Sequence, residues 1–247
     1  MTRDSRMFRK FGSVLTTATF FAMCAVPGVS QQHTFVDGLW ARENTIVLFA
    51  RFEQCGGPYR PAQPIVSTDG GNTWAADGPR FEGGELLYML SDGADLLIAG
   101  QEYAEGATSS PFMLTYNFDQ QQWSQSEIYG GDAELLGMAR EEQTGHLLAW
   151  VTHIDIQSDD DSELIFLHES VDGGKNWEVV KNVTHVPTSI PGMRFFGALP
   201  QRSGKWRLGN AGNAIEQSRD DGKWHSTVKL PMEIQQQCPE SQGDTRP

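Results

Sequence analysis

At 247 residues, with 32 acidic side chains against 19 basic ones, the chain carries a formal net charge of −13. That surface repels nucleic acid and anionic membranes; it suits a basic protein partner or a cation, or serves plain solubility. Its six histidines show no metal-ligand spacing, and no phosphate loop, nucleophile elbow or zinc pattern appears.

In chain order, residues 1–30 read first, as a signal peptide. Arg3, Arg6, Arg9 and Lys10 form a basic start, and Val14 to Val26 is apolar but too short for an ordinary membrane span. Gly28-Val29-Ser30 offers small residues for cleavage before Gln31. The bulky Met23 argues against a lipid anchor on Cys24. A secreted or periplasmic protein without a membrane span is expected. Removing four basic side chains and Asp4 takes the net charge from −13 to −16.

Residues 31–238 read as a single domain, with 239–247 as a disordered tail. The apolar runs are short: Pro64-Ile65-Val66, Leu86–Leu90, Leu96–Gly100, Phe112-Met113-Leu114, Glu134–Ala139, His146–Thr152, Leu164–Leu167 and Ala214-Ile215. Short strands between regular turn signals, with no sustained helical period, predict an all-β fold. Four of these runs lead into one turn motif. STDGGNTW supplies Ser67, Asp69, Gly71 and Trp74; SVDGGKNW repeats it with Ser170, Asp172, Gly174 and Trp177. SRDDGKW keeps Ser218, Asp220, Gly222 and Trp224, and the worn TYNFDQQQW keeps Asp119 and Trp123. Asp-Gly and Gly-Gly supply positive φ, the acid and hydroxyl can accept backbone N–H groups, and the Trp adds area to bury. Starts at 67, 115, 170 and 218 lie 48, 55 and 48 residues apart. That period suits a four-stranded propeller blade, with blades at about 33–79, 84–129, 131–181 and 193–230.

The octets resemble the Asp-box, or BNR repeat, of sialidase-like β-propellers. Similar repeats occur in sortilin-like receptors and photosystem II assembly factors, and LGNAGNAIEQSRDDGKW is especially similar to the last group. The resemblance implies an Asp-box β-propeller of about four four-stranded blades, with the boxes on the outer rim as architecture. Sialidase chemistry would require three arginines clamping a carboxylate, a Tyr–Glu nucleophile pair and an acid Asp. HTFVDGLWAREN (His33–Asn44) lacks the Arg-Ile-Pro of that family, and PYRP (Pro58–Pro61) is a poor substitute. LFARFE (Leu48–Glu53) is similar to a family strand, with the order of Glu and Arg inverted. Family enzymes also usually carry six blades. The resemblance thus implies no catalytic residues, and a sialidase-like glycoside hydrolase stands as the alternative.

Cys55 and Cys238 are the two cysteines left after the leader. In an oxidising compartment a disulfide between them would tie the end of the repeat array to its beginning; two free thiols are the alternative. Asp155, Asp159, Asp160, Asp161 and Glu163 crowd one segment. Carboxylates at that density could hold Ca²⁺, though the spacing matches no EF-hand and a solvated acidic loop is the alternative reading. No other cofactor is expected. His146, His153 and His168 fall on predicted strands, in core or edge roles. Asn182-Val183-Thr184 is a sequon if the host glycosylates. Glu53–Gln63, Glu102–Pro111, Ile156–Ser162 and Val183–Met193 are long polar or Pro/Gly-rich loops on a rigid scaffold. They predict a binding face for a protein or glycan, as in an inhibitor or immunity-type protein.

Overall fold

A computed structural model describes residues 34–52, 62–81, 83–91, 95–103, 109–153, 164–209, 214–219 and 222–229. Every element there is a β-strand. The first sheet is the meander β1 (Thr34–Arg42), β2 (Thr45–Phe52), β3 (Ala62–Ser67) and β4 (Ala75–Ala76). The second runs β5 (Gly84–Ser91), β6 (Asp95–Tyr103), β7 (Ser109–Asn117) and β8 (Gln122–Glu127). The third runs β9 (Ala133–Glu141), β10 (Leu147–His153), β11 (Leu164–Ser170) and β12 (Glu178–Val183). Two short strands follow, β13 (Met193–Phe195) and β14 (Gly197–Ala198). The fourth sheet is β15 (Arg202–Ser203), β16 (Trp206–Leu208), β17 (Ala214–Ser218) and β18 (Trp224–Lys229). The fold is an all-β, four-bladed propeller array, and all paired strands are antiparallel.

Side-chain alternation explains the stacking. On β2, Val47 and Phe49 join Leu96 and Ile98 of the second sheet, while Ile46, Leu48 and Ala50 meet Trp206 and Ile215 of the fourth. On β6, Leu97 and Ala99 turn the other way, towards Leu135, Leu147 and Val151 of the third sheet. Strands buried on both faces read as unbroken apolar runs, and TIVLFA and DLLIA are such runs. The fourth sheet is one-sided: Trp206, Leu208 and Ile215 face the first sheet, and Arg207 pairs with Glu216 on the opposite face. The stacking order is therefore fourth, first, second, third. No hydrophobic cluster among the described residues joins the third sheet to the fourth. The outer face of the third sheet carries Val183, Val186, Ile190, Met193 and Phe195, packed over Ala139, Trp150 and Leu167.

That packing corrects two expectations. Val183–Met193 is not a free recognition loop along its whole length: Val183, Val186, Ile190 and Met193 cover the third sheet, while Thr184, His185, Thr188 and Ser189 face solvent. Residues 193–200 do not open the fourth blade either; they form a strap across the free edges of the first strands. Phe195 pairs with Ala139 of β9, Ala198 with Tyr88 of β5, and Leu39 of β1 donates its N–H to Pro200 at 2.7 Å. Gly38 permits the last contact, since a Cβ there would lie 2.7 Å from Leu199 Cβ and 3.0 Å from the Pro200 carbonyl. The short run MRFFGALP carries no local signal for which sheet it joins.

Candidate functional site

The predicted turn residues among the described ones lie at one end of the sheets. Ser67 Oγ donates to Asp69 Oδ1 at 2.8 Å and accepts the Gly71 N–H at 2.8 Å. Asp69 Oδ1 also accepts from Asn72 N at 3.0 Å and Thr73 N at 2.9 Å. Ser170, Asp172, Gly174, Lys175 and Asn176 repeat the same bonds within the third sheet. Gly71 and Gly174 sit at φ +88° and +90°, where a Cβ is strained. Hydrogen bonds from Thr73, then Ser67 and Asn72, pull the Asp69 carboxyl down to about 2. Those from Asn176, Ser170 and Lys175 hold the Asp172 carboxyl well below its usual value. Trp74 and Trp177 each donate Nε1–H to the Gly carbonyl three residues back, at 3.1 and 3.0 Å. The Ser, Asp and Trp side chains of both octets are engaged inside their own hairpins, while Gly70 N–H reaches Asn44 O of the neighbouring β1–β2 turn at 2.8 Å.

The degenerate copies differ. Asn117, not Asp119, accepts the Gln120 N–H, at 2.8 Å, in a connection shorter than those of the two full octets. Trp123 Nε1 donates to Asp77 of the first sheet's connection at 3.3 Å. In the fourth sheet, Gly222 has φ +73° and donates to Arg219 O at 2.9 Å; Ser218 is at the strand end, and Asp220 lies outside the described residues. Trp74, Trp123 and Trp177 each rest in an inter-sheet cluster. Trp224 does not; the guanidinium carbons of Arg207 and Arg202 lie 4.4 and 5.0 Å from its ring centre.

The opposite end has a different chemistry. It carries the starts of β1, β5 and β9 and the ends of β2, β6 and β10. Each of β1, β5 and β9 has a bulge at the same place, leaving Asp37, Leu87 and Leu136 out of register. Bulges re-aim side chains. Asp37 meets Arg51 in a two-bonded ion pair, Nε–Oδ2 2.5 Å and Nη2–Oδ1 2.7 Å. The hydrogen bond to Asp37, reinforced by the fields of Asp37 and Glu85, holds the Arg51 guanidinium above its ordinary value against burial. Asp37, Arg51 and Glu85 line an open depression of about 250 Å³, with Leu86, Leu87, Ala198 and Leu199 as its apolar surface. Tyr103 donates its hydroxyl to Glu85 Oε1 at 2.6 Å.

Further along this end, Gln101 Nε2 and Ser109 Oγ of the second sheet donate to Ala133 O of the third, at 3.3 and 2.6 Å. Beyond them His153 is stacked between Tyr129 at 3.9 Å and Phe166 at 4.0 Å. Its Nε2 lies 3.1 Å from Nε2 of the buried His168. The two ring centres are 5.3 Å apart. That separation approaches the sum of the nitrogen–nitrogen distance and two ring radii, so the nitrogens point head to head. One imidazole donates and the other accepts, which is a hydrogen bond rather than two lone pairs converging on a cation. Burial, then the neighbouring His153, pushes His168 down to about 4, and burial lowers His153.

No group of three or more His, Cys, Asp or Glu among the described residues could hold a metal ion. Asp159, Asp160 and Asp161, and both Cys55 and Cys238, lie outside those residues, as do 1–33 and 230–247. No described helix is long and apolar enough to cross a membrane. Asp37, Glu85 and Tyr103 were not singled out by the sequence, and Arg51 only within LFARFE. Their one signal was acidic residues beside strand starts, which many surface strands share.

No family model and no curated protein matches the chain. Among solved structures, a complex of the GH93 alpha-L-arabinofuranosidase of Fusarium graminearum with arabinobiose is similar over 81% of this chain and 77% of that chain, at 10% identity and a TM-score of 0.38.

Proposed function

We propose that the protein is a secreted or periplasmic, non-catalytic propeller that binds a glycan or a group of a protein partner at the Asp37–Arg51–Glu85 depression. The observation that carries this reading is the way the charges are committed. Both Asp37 oxygens accept from Arg51, and Glu85 accepts from Tyr103. A fixed fork of donors and acceptors above leucine side chains suits the alternating hydroxyl and C–H surfaces of a sugar, or a cationic side chain. The acidic balance of the chain favours the cationic case for a protein partner. The octets are architecture at the other end. Calorimetric titration of the mature protein against a glycan panel, with Asp37→Asn and Glu85→Gln beside it, tests this. Losing a hydrogen bond to a charged group should weaken binding about tenfold or more. Wild-type affinity in both variants would place the ligand elsewhere.

A second reading rests on one contact, the Tyr103–Glu85 hydrogen bond. A tyrosine activated by a glutamate is the nucleophile pair expected of sialidase-like enzymes. On this reading the protein hydrolyses a glycoside at the same depression. Turnover of aryl glycosides, sialosides included, that disappears in Tyr103→Phe with binding retained would favour it over the binding reading.

A further inference from the structure

We infer that a second copy of this chain docks head to tail on the first, the fourth sheet of each meeting the third sheet of the other. Three independent features of the molecule lead there.

The first is the tryptophan pattern. Trp123 of the second sheet packs in a cluster with the first sheet, and Trp177 of the third packs in a cluster with the second. Trp74 of the first sheet packs with Trp206 of the fourth. Each indole thus rests on the sheet before it in a cyclic order. Trp224 should by that order rest on the third sheet. Instead its only ring contacts among the described residues are the guanidinium groups of Arg202 and Arg207, on its own sheet. β13 and the segment before it cover the face of the third sheet that would receive this indole, so the part of a third sheet open to a partner is its β11–β12 hairpin.

The second feature is where apolar surface is exposed. Among the described residues, the exposed large hydrophobic side chains are Leu164, Val171, Val179 and Val180, at 48%, 67%, 51% and 50%. All four belong to the β11–β12 hairpin, the outer part of the third sheet. Val179 and Val180 are adjacent on an outer strand, so both its faces present a branched apolar side chain to water. An open strand edge of this kind is a pairing surface.

The third feature is charge. The described residues within 202–229 hold six basic side chains and one acidic, a net +5, whereas those within 133–183 hold six acidic and three basic ones, a net −3. The fourth sheet is the basic part of an acidic chain. Arg202 makes no ion pair among the described residues, and a guanidinium held over an indole face, 5.0 Å from the ring centre, can still donate N–H groups to a carboxylate. The two ends of the array, third sheet and fourth sheet, are therefore complementary in charge, and a second copy is a partner that carries both. A head-to-tail contact made twice between two copies closes on itself.

The test uses the mature full-length protein in sedimentation velocity at low and high salt. The wild type should associate in a concentration-dependent way at low salt, with affinity falling about tenfold or more at high salt. Arg202→Glu, which breaks no ion pair, should be monomeric, and so should Val179→Asp with Val180→Asp. Mixing these two variants should restore a dimer, because one intact third-to-fourth contact remains between them. Near-ultraviolet circular dichroism checks that each variant is folded; should the Arg202→Glu protein unfold, Lys205→Glu serves for the same end. A wild type monomeric under all these conditions would overturn the proposal. So would folded variants that associate as the wild type does, or a mixture that stays monomeric.

Discussion

Asp69 and Asp172 act through groups no more than four residues away, which is why their role was readable from an octet. Each collects backbone N–H groups and a hydroxyl or amide on one carboxylate. Replacing either by Ala should lower the melting temperature by several degrees and leave ligand affinity unchanged, since the depression lies at the other end of the strands. Loss of affinity in a folded Asp69→Ala protein would contradict that division. The histidine pair makes a separate prediction in pH. In the folded state His168 titrates near 4 and His153 below its ordinary 6.5. The unfolded chain therefore binds more protons than the folded one between those limits, so stability is full above about 6.5 and falls as pH drops towards 4. The Asp69 carboxyl, lowered from 3.8 to about 2, contributes stability that is lost only below about 4. Thermal melts across pH should show two separate declines. Replacing both His153 and His168 by Phe should remove the upper one; an unchanged profile would place the proton uptake elsewhere. Asp37 with Arg51, and Glu85 with Tyr103, were not readable in this way. Partners 14 and 18 residues apart meet only once strand register and the bulge at Asp37 are fixed.

At the scale of the element, the strap is the part the sequence misassigned and the part with the sharpest steric requirement. Phe196 fills the cluster between the second and third sheets, Leu199 packs on the one between first and second, and Gly38 lets the chain pass over β1. Gly38→Ala would drive a methyl against Leu199 and the Pro200 carbonyl, where rigid backbone leaves little room. A cost of about 1–3 kcal/mol is expected, of the size found for overpacked cores. Phe196→Ala should cost about 3–5 kcal/mol as a large-to-small core change. Urea denaturation measures both. If Gly38→Ala is neutral, the strap does not press on β1. The half-buried Trp74 and Trp177 should lose less on truncation than the buried Trp206, because part of each indole already faces water. Unlike the strap, much of the meanders was legible: the short apolar runs marked β3, β5, β6, β7, β9, β10, β11 and β17, whereas β2 was touched only within LFARFE. The alternation in WRL and AIEQ, which the runs of apolar residues alone did not bring out, fits a fourth sheet covered on one side only and becomes interpretable once its neighbour is known.

For the whole molecule, the stacking order changes what a disulfide would do. The sequence expects Cys55 and Cys238 to join the two ends of the repeat array, and both lie outside the described residues. Cys55 follows β2 of the first sheet, and Cys238 follows β18 of the fourth. Those sheets already share the cluster of Leu39, Ile46, Leu48, Trp206 and Ile215, and the ends of β2 and β18 point to the same end of the array. A Cys55–Cys238 bond would therefore reinforce an existing contact, leaving the third and fourth sheets unjoined. Its main effect should be on the unfolded chain, where closing so long a loop is worth about 4–5 kcal/mol in the entropy model. The fourth sheet has most to gain, since it is buried on one face and holds short strands. Peptide mapping of the non-reduced mature protein should find the two cysteines linked. Reduction should lower the melting temperature by several degrees, with the loss of protection from amide exchange starting in β16, β17 and β18. Linked cysteines with uniform loss of protection would mean that the fourth sheet is held by its packing on β1 and β2 alone. Two free thiols in the digest would remove the bond from the account, and that packing would then carry the junction by itself.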